Sequence, residues 1–124
     1  MRPSQQNRLQ IVYISGPMRG LPEFNYPAFN EAARMWRSRG FTVFNPAENF
    51  GGHTGMSMKD YMRRDLMQVL DSDFVVLLPR ADTSIGSCLE VSVAQAVDIP
   101  VIEHNRAVAS GVCCEATLRS YLRL

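Results

Sequence analysis

Four short runs of β-branched, aromatic and aliphatic residues recur along the chain with helix-patterned segments between them. That alternation constrains the fold more than any other feature. LQIVYIS at 9–15 closes on GPMRG, FTVFN at 41–45 closes on Pro46, FVVLLP at 74–79 is continuously apolar, and IPVIEH spans 99–104. A strand that is apolar throughout needs cover on both faces. Residues 28–39 carry Phe29, Ala32, Ala33 and Trp36 at helical spacing, and Gly40 follows as a stop. A second helix is expected from Ser57 or Met58 to Leu70, with Tyr61, Leu66 or Met62, Val69 and Leu70 turned inward. A third is expected over 86–97, packing through Leu89, Val93, Ala96 and Val97, and a last one over Glu115 to Leu122. Strands alternating with helices build βαβ units and a parallel sheet. The expected architecture is a small Rossmann-like (flavodoxin-like) three-layer α/β sandwich around a four- to five-stranded, mostly parallel sheet.

With 124 residues, 46% of them hydrophobic, the chain suits a single domain over 9–124 behind a polar, flexible tail at 1–8. Thirteen Lys and Arg against twelve Asp and Glu leave a net charge of +1, too little to steer a nucleic acid polymer. The three cysteines, Cys88, Cys113 and Cys114, fit neither a disulfide framework nor a Cys-x-x-Cys metal spacing, so a reducing, cytoplasmic setting is expected. MRPSQQNR lacks the apolar stretch of a signal peptide, and no apolar run reaches membrane-spanning length. His53 and His104 follow no metal pattern, and no metal or organic cofactor is expected.

In a parallel sheet, ligands bind beyond the carboxyl ends of the strands, which directs attention to GPMRG after the first run and RADTSIGS after the third. Ser15, Gly16 and Gly20 allow backbone N–H groups to approach an anion, and Arg19 offers a charged fork. The competing reading is a plain strand-to-helix turn with Arg19 in solvent. Neither a P-loop nor a Gly-x-Gly-x-x-Gly fingerprint is present. In the other loop Ser84 is a candidate N-cap, Gly86 permits close approach, and Ser87 adds a hydroxyl at the positive end of the third helix. Glu90 follows among Leu89, Val91 and Val93, with no Lys or Arg at 86, 87, 93 or 94 to pair with it. A carboxylate on so apolar a helix needs a reason beyond favouring the helix dipole. Tyr61 and Asp65 lie four apart and share a face of the second helix, although a solvated partnership of Asp65 with Lys59 or Arg64 is the commoner role for such a residue. Asp71 and Asp73 read as local caps.

YISGPMRG, YMRRDLMQVLDSDFVVLLP and SIGSCLEVSVAQAVDIPVI together resemble the nucleoside 2-deoxyribosyltransferase-like proteins over about residues 9–102. This group includes 2'-deoxynucleoside 5'-phosphate N-hydrolases and a phage and bacterial branch of undefined activity, to which YISGPMRGLPEFNYPAFN and FNPAEN look closest. The resemblance implies that Glu90 attacks the anomeric carbon, that Asp65 orients the sugar or serves the leaving base, and that Tyr13 is the strand-one tyrosine of the site. It makes Ser15, Gly16, Met18, Arg19, Gly20, Ser84, Gly86 and Ser87 the substrate-binding set. Ser84, six before Glu90, stands where the nucleotide hydrolases receive a 5'-phosphate and where transferases of free nucleosides carry an acid. Arg19 matches the hydrolases' phosphate loop, while Pro17 replaces their serine. The implied activity is N-glycosidic cleavage or deoxyribosyl transfer on a (deoxy)nucleoside 5'-monophosphate, in a homodimer or larger homo-oligomer joined through helices two and three. The alternative is a non-catalytic protein that senses or sequesters a nucleotide-derived ligand.

Overall fold

The computed structural model describes residues 8–52 and 54–124. The tail expected at 1–8 therefore lies, except for Arg8, outside the described residues, as does His53. Strands β1 (Ile11–Ser15), β2 (Thr42–Phe44), β3 (Phe74–Leu77) and β4 (Val101–Glu103) form one sheet in the order β2-β1-β3-β4, parallel at every pairing. Helices α1 (Tyr26–Ser38), α2 (Met58–Leu70), α3 (Ile85–Ala96), α4 (His104–Ala109) and α5 (Glu115–Leu122) complete the fold. Tyr13 pairs with Val75 and Ser15 with Leu77, so β1 and β3 lie side by side at the sheet centre.

The period-two alternation of β1 and β3 divides the core in two. Val12, Ile14, Phe74 and Val76 face α1, α4 and α5, where Phe29, Trp36, Ala107 and Leu118 are buried with them. Trp36, Phe41 and Phe74 meet edge-on in a triangle, with ring centroids 5.2, 5.6 and 5.4 Å apart. Such contacts add about 0.5–1.5 kcal/mol each beyond burial. Trp36 donates its indole N–H to Nδ1 of His104 at 3.0 Å, and burial holds the imidazole below its usual pKa, so His104 serves as a neutral acceptor. On the opposite face, Tyr13 and Val75 pack with Val69 of α2 and Ala94 of α3.

Helix α1 buries Phe29, Ala32, Ala33 and Trp36 as its spacing predicts, although it begins at Tyr26, with Pro27 in its first turn. Helix α3 turns the other way. Its buried residues are Ser87, Glu90 and Ala94, whereas Leu89 is 46% and Val97 49% exposed. The expected packing face at Leu89, Ala96 and Val97 is thus directed outward; only Val93 of that set is partly buried against the sheet. On α2 the inward residues are Met62, Asp65 and Val69, while Leu70 is 53% exposed. Asp73 is more than a local cap: its Oδ2 accepts from the N–H groups of Gln10 (2.9 Å) and Ile11 (2.8 Å), anchoring the start of β1 beside β3.

Candidate active site

Because Tyr13 and Ser15 are two apart on a central strand, both side chains point toward α2 and α3, where Glu90 meets them. The Tyr13 hydroxyl donates to Glu90 Oε2 at 2.9 Å, and the Ser15 hydroxyl lies 2.6 Å from Oε1. Ser87 Oγ is 2.9 Å from Ser15 Oγ. All four residues are buried, and among the described residues none of the ion pairs involves Glu90. Asp65 approaches from α2, where Asn49 donates to its Oδ1 at 3.0 Å. Asn49 and Gln68 exchange two further amide hydrogen bonds, which fix the donor in place.

Burial raises both carboxyl groups, Asp65 to about 6 and Glu90 to about 8. Donation from Ser15 and Tyr13 pulls Glu90 back down, and the neighbouring Asp65 charge pushes it up. Tyr13 is raised well above its ordinary value, first by burial and then by Glu90 and Asp65, so it remains a hydrogen donor. Two carboxyls held this close in a buried site oppose each other's ionisation, so they titrate as a pair.

The pair faces a cavity of about 480 Å³ at the carboxyl end of the sheet. Tyr13, Gly16, Met18, Arg19, Asp65, Ser84, Gly86, Ser87 and Glu90 line it, so the structure brings most of the expected site residues together. Ser15 and Gly20 do not line it: Ser15 stands behind Glu90, and Gly20 provides a turn at φ +81. Gly16 is needed for packing, since a Cβ there would meet the Leu78 side chain at 2.9 Å. At Gly86 a Cβ would find only ordinary contacts, so the close approach expected there is not required by the protein's own packing. Ser84 is the N-cap of α3, accepting from the Ser87 N–H at 3.2 Å. The Arg19 guanidinium carbon lies 5.9 Å from the Tyr61 ring centre at the rim.

Several wall residues were not legible beforehand. Glu23, Phe24 and Asn25 occupy three successive left-handed conformations (φ 53, 53 and 59) that place Phe24 and Tyr26 on the cavity, and Asn25 ties this segment to the Pro17 carbonyl at 2.9 Å. L-residues adopt such a run at a cost of about 1–2 kcal/mol each. Arg80, also left-handed at φ 68, adds a second cation to the lining. Asn49 carried a signal only in the NPAEN turn, which does not disclose its reach to Asp65. Among the described residues, no group of three or more His, Cys, Asp or Glu side chains is arranged to hold a metal ion, and no helix is long and apolar enough to cross a membrane.

The four parallel strands, with helices on both sides, make an α/β fold that carries a carboxyl pair at the foot of a cavity beyond its strand ends. A solved structure of a 2-deoxyribosyltransferase from the psychrotolerant bacterium Bacillus psychrosaccharolyticus is similar, with a TM-score of 0.60 and 21% identity over 75% of this chain and 70% of that one. That enzyme is described as a biocatalyst for the synthesis of antiviral and antitumoral nucleosides. No curated protein matches the chain. The chain belongs to the family described as "Domain of unknown function (DUF4406)", whose model matches residues 10–103.

Proposed function

We propose that this protein cleaves the N-glycosidic bond of a (deoxy)nucleoside 5'-monophosphate, with Glu90 as nucleophile. The observation that carries the reading is a buried Glu90 without a cation partner among the described residues, held by Tyr13 and Ser15 beside Asp65 and facing a cavity large enough for a nucleotide. A carboxylate beneath an anomeric carbon stabilises oxocarbenium character and forms a glycosyl ester. The pair's proton first passes from Glu90 to Asp65; as the ionised Glu90 then bonds to that carbon, the carbon–nitrogen bond breaks, and its electron pair leaves with the base, which takes the proton from Asp65. Water, or a second base, then attacks the ester and gives its proton to Asp65, and Glu90 regains its charge. Arg19, Ser84 and the N–H groups opening α3 suit a phosphate at the rim.

The proposal includes self-association in a reducing, cytoplasmic setting. Met67 and Leu70 on α2 and Leu89 and Val97 on α3 are exposed apolar residues on the layer that carries Asp65 and Glu90, and the cysteines are unpaired. Burial favours capture over turnover: it raises Glu90 to about 8, and a protonated carboxyl donates to a sugar hydroxyl instead of attacking carbon. Incubation with a mixed panel of nucleoside monophosphates, read by mass spectrometry, separates the two. Release of free base that is lost in Glu90→Gln supports the glycosidase. Binding without base release identifies a sensor or sequestering protein.

A further inference from the structure

Ser87, which borders the cavity, and Ser15, which stands behind it, meet at Glu90. The Ser15 hydroxyl lies between two acceptors, Glu90 Oε1 at 2.6 Å and Ser87 Oγ at 2.9 Å, yet it has a single hydrogen. When that hydrogen goes to a Glu90 carboxylate, the contact with Ser87 is completed only if Ser87 donates. We infer that Ser87 and Ser15 are positioning residues forming a directional hydroxyl chain, Ser87 to Ser15 to Glu90, which holds Oε1 in its ionised state and reverses direction when Glu90 is protonated. Both serines are at most 2% exposed, so water does not substitute freely for either. Hydroxyl hydrogens rotate without heavy-atom movement, and the chain therefore accommodates both states of Glu90 in one geometry.

The groups facing Glu90 come from three elements. Tyr13 and Ser15 of β1 donate to it, Asp65 of α2 opposes its charge, and Ser87 supports Ser15 from the first turn of α3 itself. Arg64 acts at one remove, through Asp65. Among these, Ser15 gives the largest counterweight to burial.

The inference takes its catalytic meaning from the reading of Glu90 as the reacting carboxyl, but its test needs no substrate. Protein labelled with 13C at glutamate is titrated by NMR, with the Glu90 carboxyl resonance assigned by its loss in Glu90→Gln. In Ser15→Ala the Glu90 midpoint rises by about one to two pH units, the size of a lost charged hydrogen bond. In Ser87→Ala, where Ser15 still donates but without support, it rises by less. Ser15→Thr, which keeps the hydroxyl, restores the wild-type midpoint. Folded Ser15→Ala protein that titrates like wild type overturns the inference; should that variant not fold, a wild-type midpoint in Ser87→Ala overturns it. Failure of the native protein to release base removes the glycosidase reading and leaves this titration result intact.

Discussion

Tyr13 reaches Glu90 across 77 residues of sequence, its hydroxyl 2.9 Å from Oε2, while Ser15 takes the other oxygen. The carboxyl group is therefore held at both oxygens by uncharged donors from one strand. This arrangement orients a carboxylate without neutralising it, as a Lys or Arg partner would. Removing the Tyr13 donor alone, by Tyr13→Phe, is expected to lower kcat by roughly ten- to a hundred-fold with KM little changed, because the hydrogen bond matters most as the ester breaks and Glu90 regains its charge. The ring stays buried, so thermal stability should fall only modestly, by about 1 kcal/mol for the lost hydrogen bond. A change in KM alone, measured with the monophosphate found to react, would show that Tyr13 contacts substrate uniformly and does not tune Glu90.

The burial that raises Glu90 also makes stability depend on pH. Its folded value of about 8 lies above the unfolded carboxylate value of about 4.3, so the folded state binds the extra proton between these limits. That contribution is complete below about pH 4 and is lost as pH rises through about 8. In Glu90→Gln the side chain has no charge to gain, and the Ser15 hydroxyl rotates to accept from the amide. Thermal melts from pH 5 to pH 9 should show wild type losing ground steadily relative to Glu90→Gln, each kcal/mol of difference appearing as ~4 °C. Parallel curves would mean that Glu90 is ionised throughout this range.

How much of this was legible depended on whether a residue's role was local. Helix α1 was readable because its apolar positions are separated from polar ones, so period and face agree. Helix α3 is apolar on nearly every side, and periodicity has no means of choosing a face there; Leu89 and Val97 point outward while polar Ser87 and Glu90 point to the sheet. Glu90 was nevertheless noticeable, because a lone carboxylate in such a helix lacks a neighbour to satisfy it. Helix α4, six residues long, is too short for a periodic signal. The left-handed run Glu23–Asn25 contains no glycine to announce it, and Asp73 and Asn49 act on residues 62 and 16 positions away. Long-range side-chain partners leave no trace in local spacing.

The outward apolar residues of α2 and α3 make a separate prediction. If they join two copies of the chain, Leu89→Glu should shift the protein toward monomer in light scattering at micromolar concentration, since a charge on that face meets its own symmetry mate or an apolar surface. Leu124→Glu, also at an exposed apolar position but beyond α5, should leave the mass unchanged. A wild-type protein that is monomeric throughout would rule out this interface.

Arg19 provides the test of a nucleotide site against a nucleoside site. It lines the rim with Ser84, the N-cap of α3, and no salt bridge among the described residues engages its guanidinium, which lies instead near the Tyr61 ring. A 5'-phosphate placed there gains charge-assisted hydrogen bonds that a free nucleoside does not make. Losing one such bond costs about 1.5–3 kcal/mol, so Arg19→Ala should weaken monophosphate binding by roughly ten- to a hundred-fold and leave nucleoside binding nearly unchanged. Calorimetry on matched nucleoside and monophosphate pairs measures the difference directly, and Arg19→Lys should recover part of it, as a point charge without the planar fork. Equal affinities of the wild-type protein for the two ligands would remove the phosphate from the site even if Glu90 proved catalytic, because the carboxyl pair and the cationic rim are independent features of the cavity.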